Sequence, residues 1–337
     1  MSLYLKNGYL NFEWLDGEAA RINAAFIVII GKRQIGKTYG CLSLMLDDKR
    51  RFILMRRTQT ESDMMTSGIV NPFINLGVTD ITIKRDTKYT GGIYRGEELT
   101  GLTMALSTVS KIRGFSGSPY TDMVFDEFIP EAHIQKIKNE GDAFLNAVVT
   151  IAGNRELDGK PPLRCWLLAN SNNIASPIIE ALNITEKLED MILKNQEFSI
   201  MPERGIIIVF PSSEKITERR KKTSILKAIG TENRFAEMAF DNKFSYNDSE
   251  SIYRQNLKEY IPYVSCVGVF TVYLHKSKQQ YYVTKYRHGA KSEYSNTERG
   301  KAEMIKNHSS LKPMFIHNCT LFESLTIKER YRAAINV

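Results

Sequence analysis

Residues Gly31, Lys32, Arg33, Gln34, Ile35, Gly36, Lys37 and Thr38 satisfy G-x-x-x-x-G-K-[ST] at every fixed position. Glycines at these places let the backbone turn tightly and aim its N–H groups inward. Together with the start of a following helix, those amides form a cradle for anions. In such a loop Lys37 reaches the β- and γ-phosphates of a nucleotide, and Thr38 offers its hydroxyl to Mg²⁺. The flanks suit this chemistry. Ala24 to Ile30 is an unbroken apolar run rich in β-branched residues, the pattern of a buried parallel strand. Tyr39 to Leu46 is apolar and long enough to continue as a helix. The rival reading, a chance Gly-Lys-Thr loop, does not account for the strand in front of it.

A second motif lies further along. Met123-Val124-Phe125 leads into Asp126-Glu127, an apolar strand ending in paired acids. Asp126 is placed to hold Mg²⁺. Glu127, on the other side of the strand, is placed to orient and deprotonate an attacking water. The second acid favours hydrolysis of ATP over phosphoryl transfer. A third strand, Leu163 to Ala169, ends at Asn170. A polar residue there can sense a γ-phosphate; the alternative is that Asn170 only caps the next segment.

The elements around these motifs describe an α/β chain. Arg51 to Arg57, Leu102 to Val109 and Gly205 to Phe210 read as further strands. Gly91-Gly92, between two alternating segments, reads as a hairpin turn. The expected fold class is a P-loop core with a mostly parallel, doubly wound sheet. Thr217 to Thr223 is a basic run opening a helix, and the polar stretch Ala239 to Ser251 marks a boundary. Tyr263 to Leu274 and Gln280 to Tyr286 read as long strands of a smaller α+β domain. A helix is expected at 297–307, a short strand at 313–316, and a helix from Ser324 to Ile335. The division is 1–210 for the P-loop domain, 211–245 for a basic linker and 246–337 for the C-terminal domain.

Composition bounds the classes of function. The chain has 337 residues, 42% hydrophobic and 25% charged, the profile of an ordinary globular protein. The net charge of +8 leans towards a polyanionic partner. From residue 246 on, fourteen Lys and Arg face eight Asp and Glu, an excess of six. From Ile261 to Ser292 there are five basic residues and no acid. That suits a nucleic-acid backbone, with Tyr273, Tyr281, Tyr282 and Tyr286 interleaved, although strand tyrosines also serve packing. The four cysteines are far apart and form no C-x-x-C pair, so a reducing compartment with core thiols is expected. No apolar run spans a bilayer and no signal-peptide layout opens the chain, so no membrane is expected.

Taken together, F-I-V-I-I-G-K-R-Q-I-G-K-T, F-I-L-M-R-R, M-V-F-D-E-F-I, N-R-E with R-C-W-L-L-A-N, and T-E-R-R-K-K-T followed by E-M-A-F-D-N-K-F resemble the DNA-packaging ATPases of small, protein-primed, short-tailed bacteriophages. This is the phi-twenty-nine-like group, P-loop ATPases with an additional strand and a catalytic glutamate. The likeness spans roughly residues 24–245. It implies an ATPase motor using ATP and Mg²⁺, assembled as a homopentameric ring at the portal vertex of an empty capsid in the host cytoplasm. Such a ring sits on a packaging RNA and drives double-stranded DNA inward. By the family motif, Arg155 in N-R-E is the arginine that enters a neighbour's site, and Arg113 is a second trans-acting residue. Arg56 and Arg57 are placed to meet nucleotide or a neighbour. The resemblance further implies an RNase H-like C-terminal domain without nuclease activity. In keeping with that, Tyr263 to Leu274 carries none of the carboxylates a two-metal nuclease needs. Rival readings are a terminase large subunit with a working nuclease, a P-loop protein that binds ATP as a switch without pumping, and a nucleotide kinase.

Overall fold

The structure is a computed structural model that describes residues 2–111, 115, 117–130, 137–170, 176–224 and 251–336. The chain divides into two compact units, Met1–Ser245 and Tyr246–Val337.

In the first unit the order is α1 (Phe12–Arg21), β1 (Phe26–Gly31), α2 (Lys37–Asp47), β2 (Phe52–Arg56), α3 (Gln59–Thr66), β3 (Ile81–Arg85), β4 (Thr90–Arg95) and β5 (Glu98–Ala105). Then come β6 (Asp122–Asp126), α4 (Glu140–Ala152), β7 (Arg164–Asn170), α5 (Pro177–Ala181), α6 (Thr185–Leu193), β8 (Phe198–Met201), β9 (Ile206–Val209) and α7 (Glu214–Lys221). The strands form one sheet in the order β3-β4-β5-β2-β6-β7-β1-β9-β8. The middle, from β5 to β9, is parallel, and the pairs at both margins are antiparallel. The central strands are apolar throughout because both of their faces are covered. Ile27, Ile29, Leu54, Val124, Trp166, Leu168 and Val209 pack in one core with α1 and α2.

Strand β7 sits between β1 and β6. It keeps the strand that leads into the glycine loop one place away from the strand that ends in acids. Its own tip is in register with the loop, Asn170 opposite Gly31. All parallel strands end on one edge of the sheet, where open α/β folds bind ligands.

The opposite, amino-terminal edge is tied by charge. Asp16 of α1 accepts a paired contact from Arg50 at 2.9 and 2.7 Å, and another from Arg164 at the start of β7. Asp122 at the start of β6 accepts from Trp166 Nε1 at 3.0 Å and lies 3.3 Å from Arg50. The network fastens α1 to the starts of three strands.

The second unit folds as β10 (Tyr260–Cys266), β11 (Phe270–His275), β12 (Tyr281–Lys285), β13 (Ser292–Tyr294), α8 (Glu298–Asn307), α9 (Leu311–Ile316), β14 (Thr320–Phe322) and α10 (Leu325–Ala334). Its sheet order is β13-β10-β11-β12-β14, with β10, β11 and β12 antiparallel neighbours and the outer strands parallel to theirs. Val264, Phe270, Val272, Val283 and Phe322 face Met304, Leu311, Ile327 and Tyr331 of the helices.

Three local expectations change. Gly91 and Gly92 lie inside β4, and the β3–β4 turn is at 86–89. A Cβ on Gly91 would come within 2.4 Å of Thr66, and one on Gly92 within 2.4 Å of the Tyr94 ring, so these glycines serve close packing and not a turn. The run from 263 to 274 is a hairpin that reverses at Gly268, whose φ is +75°. Residues 311–316 are a helix, and the strand follows at 320–322.

Burial opposes ionisation of Asp16, but the Arg50 and Arg164 guanidiniums outweigh it and hold its carboxyl below the ordinary value. A depressed folded-state pKa adds stability above the unfolded pKa that is lost as pH falls through the folded one. Asp16→Asn should therefore cost about 1–3 kcal/mol at neutral pH. In urea melts of both proteins the difference should shrink as the medium is acidified below the ordinary carboxylate range. A gap that persists in acid would contradict this role.

Candidate nucleotide site at the carboxyl edge of the sheet

The loop after β1 is shaped by two residues with positive φ, Gln34 at 60° and Gly36 at 83°. Gly36 has a further reason to be glycine, because a Cβ there would sit 3.0 Å from the Tyr9 ring. A Cβ on Gly31 would come within 2.8 Å of Pro211. Ile35 is buried and anchors the loop from below. Lys37 is buried, and its ammonium donates to the carbonyls of Gly31 at 3.0 Å and Lys32 at 2.6 Å, and to Asn170 Oδ1 at 3.2 Å. The cation is thus folded across the mouth of the loop, in touch with the tip of β7.

Thr38, at the second position of α2, donates to Asp126 Oδ1 at 3.0 Å. The two hard oxygen donors needed for a divalent cation thus meet. Arg56, the last residue of β2, donates to Asp126 Oδ2 at 2.8 Å and to Glu127 Oε2 at 3.2 Å. Its guanidinium bridges both acids. Glu127 has φ 58°, a left-handed conformation that long side chains rarely adopt, and such strain collects at functional sites. Burial pushes its carboxyl up, Arg56 pulls it down, and Asp126 adds to the rise.

The next residue of the chain turns the other way. Arg57 is buried and makes a two-point contact with Glu140, 2.7 and 3.1 Å, where α4 begins. The backbone N–H groups of Arg57 and Thr58 donate to Glu61, which with Thr58 caps α3 in a reciprocal box. Consecutive arginines therefore tie β2 to the acidic pair on one side and to α4 on the other.

The structure brings together Lys37, Thr38, Asp126, Glu127 and Asn170. It does not present Arg155 to this edge. Arg155 is 5% exposed, and its guanidinium donates to the carbonyls of Tyr120 and, at 2.7 Å, Pro161. In this chain it pins the loop after α4 to the segment entering β6. Arg113 lies outside the described residues. Arg56 is the residue whose place sequence reasoning left open. The signal for it was a basic residue at a strand's carboxyl end, which gains meaning only once β2 is known to lie beside β6.

A cavity of about 610 Å³ opens beside the loop, between the N-terminal segment and α2. Tyr9, Asn7, Gln34, Tyr39, Gly40 and Ser43 help to line it. No helix among the described residues is long and apolar enough to cross a membrane.

A parallel sheet with an added strand between the loop strand and the acid strand, and these groups at its carboxyl edge, define a P-loop nucleotide-binding fold. The family model for podovirus DNA encapsidation protein (Gp16) matches residues 15–310, and the chain belongs to that family; its function is DNA packaging. The fold is similar to the phi-28 gp11 DNA packaging motor, with 16% identity, a TM-score of 0.63, and 98% of this chain and 99% of that one covered. It is also similar to a chain of the bacteriophage phi-29 viral genome packaging motor assembly, with 19% identity, a TM-score of 0.64, and 99% of both chains covered. Comparison with curated proteins returns no match.

The buried Arg57–Glu140 pair yields a stability test. Glu140→Ala leaves a guanidinium without its counter-charge in the interior and should cost about 3–5 kcal/mol. Chemical denaturation of the two proteins measures it, and a loss under about 1 kcal/mol, as for a surface pair, would show that the contact is not buried in solution.

Proposed function

We propose that this chain is the ATP-hydrolysing subunit of a motor that translocates double-stranded DNA into a preformed capsid. The observation that carries the reading is the hydrogen bond from Thr38 to Asp126 with Glu127 next in sequence. It supports a reading in which a phosphate cradle, oxygen ligands for a cation and a general base share one edge.

Thr38 Oγ1 and Asp126 fit Mg²⁺ by donor type and by proximity. When bound there, Mg²⁺ would supply charge neutralisation to the nucleotide's phosphates. Lys37 leaves the carbonyls of Gly31 and Lys32 for phosphate oxygens, which are better acceptors for an ammonium. Asn170, already in contact with Lys37, is then next to the γ-phosphate and senses its loss. Glu127 orients the attacking water and takes its proton, while Arg56 fixes the direction of the carboxylate. The cavity beside the loop suits the base and ribose, with the half-exposed Tyr39 available to stack.

By family motif, Arg155 completes a neighbouring subunit's site in a homo-oligomeric ring, a pentamer by the same resemblance. To do so its guanidinium exchanges the carbonyls of Tyr120 and Pro161 for phosphate oxygens, a role worth about 10³–10⁵ in rate. Arg113 is the second trans-acting proposal. The ring acts at the portal vertex with a packaging RNA, in the host cytoplasm. Residues 211–245 serve as the linker. The second unit binds nucleic acid without cutting it, an RNase H-like role supported by the lack of any Asp or Glu in β10, β11 and β12.

Lys37→Ala should abolish binding of a fluorescent ATP analogue. Undiminished binding would remove the loop from the mechanism. In mixtures with wild-type chain on capsids, Arg155→Ala subunits should depress packaging out of proportion to their share. A strictly linear decline would argue against action in trans.

A further inference from the structure

The turn between β3 and β4 carries a feature that the nucleotide site does not use. The ammoniums of Lys88 and Lys111 both lie over the Tyr89 ring, 5.6 and 5.4 Å from its centre. Lys84 lies 5.8 Å from the centre of the Tyr94 ring. All three lysines are exposed. Among the described residues, none of the three has a carboxylate within 4.0 Å. The nearby acids are engaged by other groups. Asp63 pairs with Arg85 at 2.8 Å, and Asp86 accepts from Tyr94 at 3.1 Å.

Each of these ammoniums rests against a tyrosine ring. Gly92 has no Cβ, so the Tyr94 ring folds back over its own strand towards Asp86. Lys88 and Lys111 are like charges gathered at one ring, and an exposed ring is a weak partner for an ammonium. A phosphate at this turn supplies the counter-charge that the exposed ammoniums lack. Each tyrosine ring already carries an ammonium 5.4 to 5.8 Å from its centre, so charge, more than stacking, is what the turn presents. The arrangement therefore suits the backbone of a duplex, read without regard to sequence.

The position of the turn is the second observation. Thr90 opens β4 opposite Met104, near the end of β5, and Ala105 is in register with Arg56 of β2. The turn is thus on the same edge as the nucleotide loop. From β4 to β1 there are five strand steps, about 24 Å at the usual spacing. Hydrogen bonds run between the two places. Arg85 pairs with Asp63, which accepts from Gln59 at 2.8 Å. Gln59 Oε1 accepts from Thr108, and its N–H donates to Ser107, whose own N–H donates to the Arg57 carbonyl. The adjacent Arg56 holds Glu127.

We infer that Lys84, Lys88 and Lys111, mounted on Tyr89 and Tyr94, form a grip for the phosphate backbone of duplex DNA. The partner rests on the DNA-packaging function, and the inference stands whether or not the chain hydrolyses ATP.

The test compares the full-length wild-type chain with Lys88→Ala/Lys111→Ala, binding a labelled DNA duplex across a range of KCl. Each lost phosphate contact removes about 0.9 from the slope of log K against log salt. The double variant should lose about 1.8, and its affinity at moderate salt should fall about tenfold or more. Lys88→Gln/Lys111→Gln, which keeps the stems over the ring, should behave the same way, with melting temperatures unchanged. Basal ATP turnover should stay the same in both variants while its stimulation by duplex falls. Unchanged slope and affinity would overturn the grip. So would a loss confined to an RNA duplex with DNA binding intact. If wild-type chain turns over no ATP but the DNA slope still drops, the motor mechanism fails and the grip stands.

Discussion

The hydrogen bond from Thr38 to Asp126 joins segments 88 residues apart, and the rest of the edge is arranged around it. It forms only because β7 holds β1 and β6 at a fixed separation. If β6 lay directly beside β1, the acids would crowd the loop. With one strand between, Asp126 reaches the first turn of α2, and the tip of that strand puts Asn170 against Lys37. Topology, more than any single side chain, sets the spacing of the chemistry.

Charge is placed to the same end. At the amino-terminal edge, Asp16, Arg50, Asp122 and Arg164 satisfy one another and fix the starts of the strands. At the carboxyl edge, charges are left in a state that a ligand can change. Lys37 rests on loop carbonyls, which are weaker partners than phosphate. Arg56 neutralises two adjacent acids that would repel each other. Glu127 is held in a strained backbone conformation. The stiffness of one edge allows strain and exchangeable contacts at the other.

Much of this was legible in the chain itself. The glycine loop is announced by local pattern, the acid pair gains its meaning by following that loop, and Asn170 reads as a sensor or as a cap. What depends on long-range packing was not legible. Gly91 and Gly92 read as a turn because glycine signals both turns and close approach, and only Thr66 and Tyr94 tell them apart. Residues 313–316 read as a strand because a short apolar run carries no period long enough to decide. Arg56 and Arg155 had candidate roles from position or family motif, but nothing local says that one bridges two acids and the other is buried on backbone carbonyls. Those facts belong to the sheet order and to the path of the loop after α4.

The central claim is that this edge hydrolyses ATP with Glu127 as the base. The most direct test is single-turnover hydrolysis of radiolabelled ATP by wild-type chain and Glu127→Gln, with bound nucleotide measured in the same samples. The account predicts equal occupancy and a rate of phosphate formation lower by about 10²–10⁴ in the variant. Equal occupancy with an unchanged rate would contradict it.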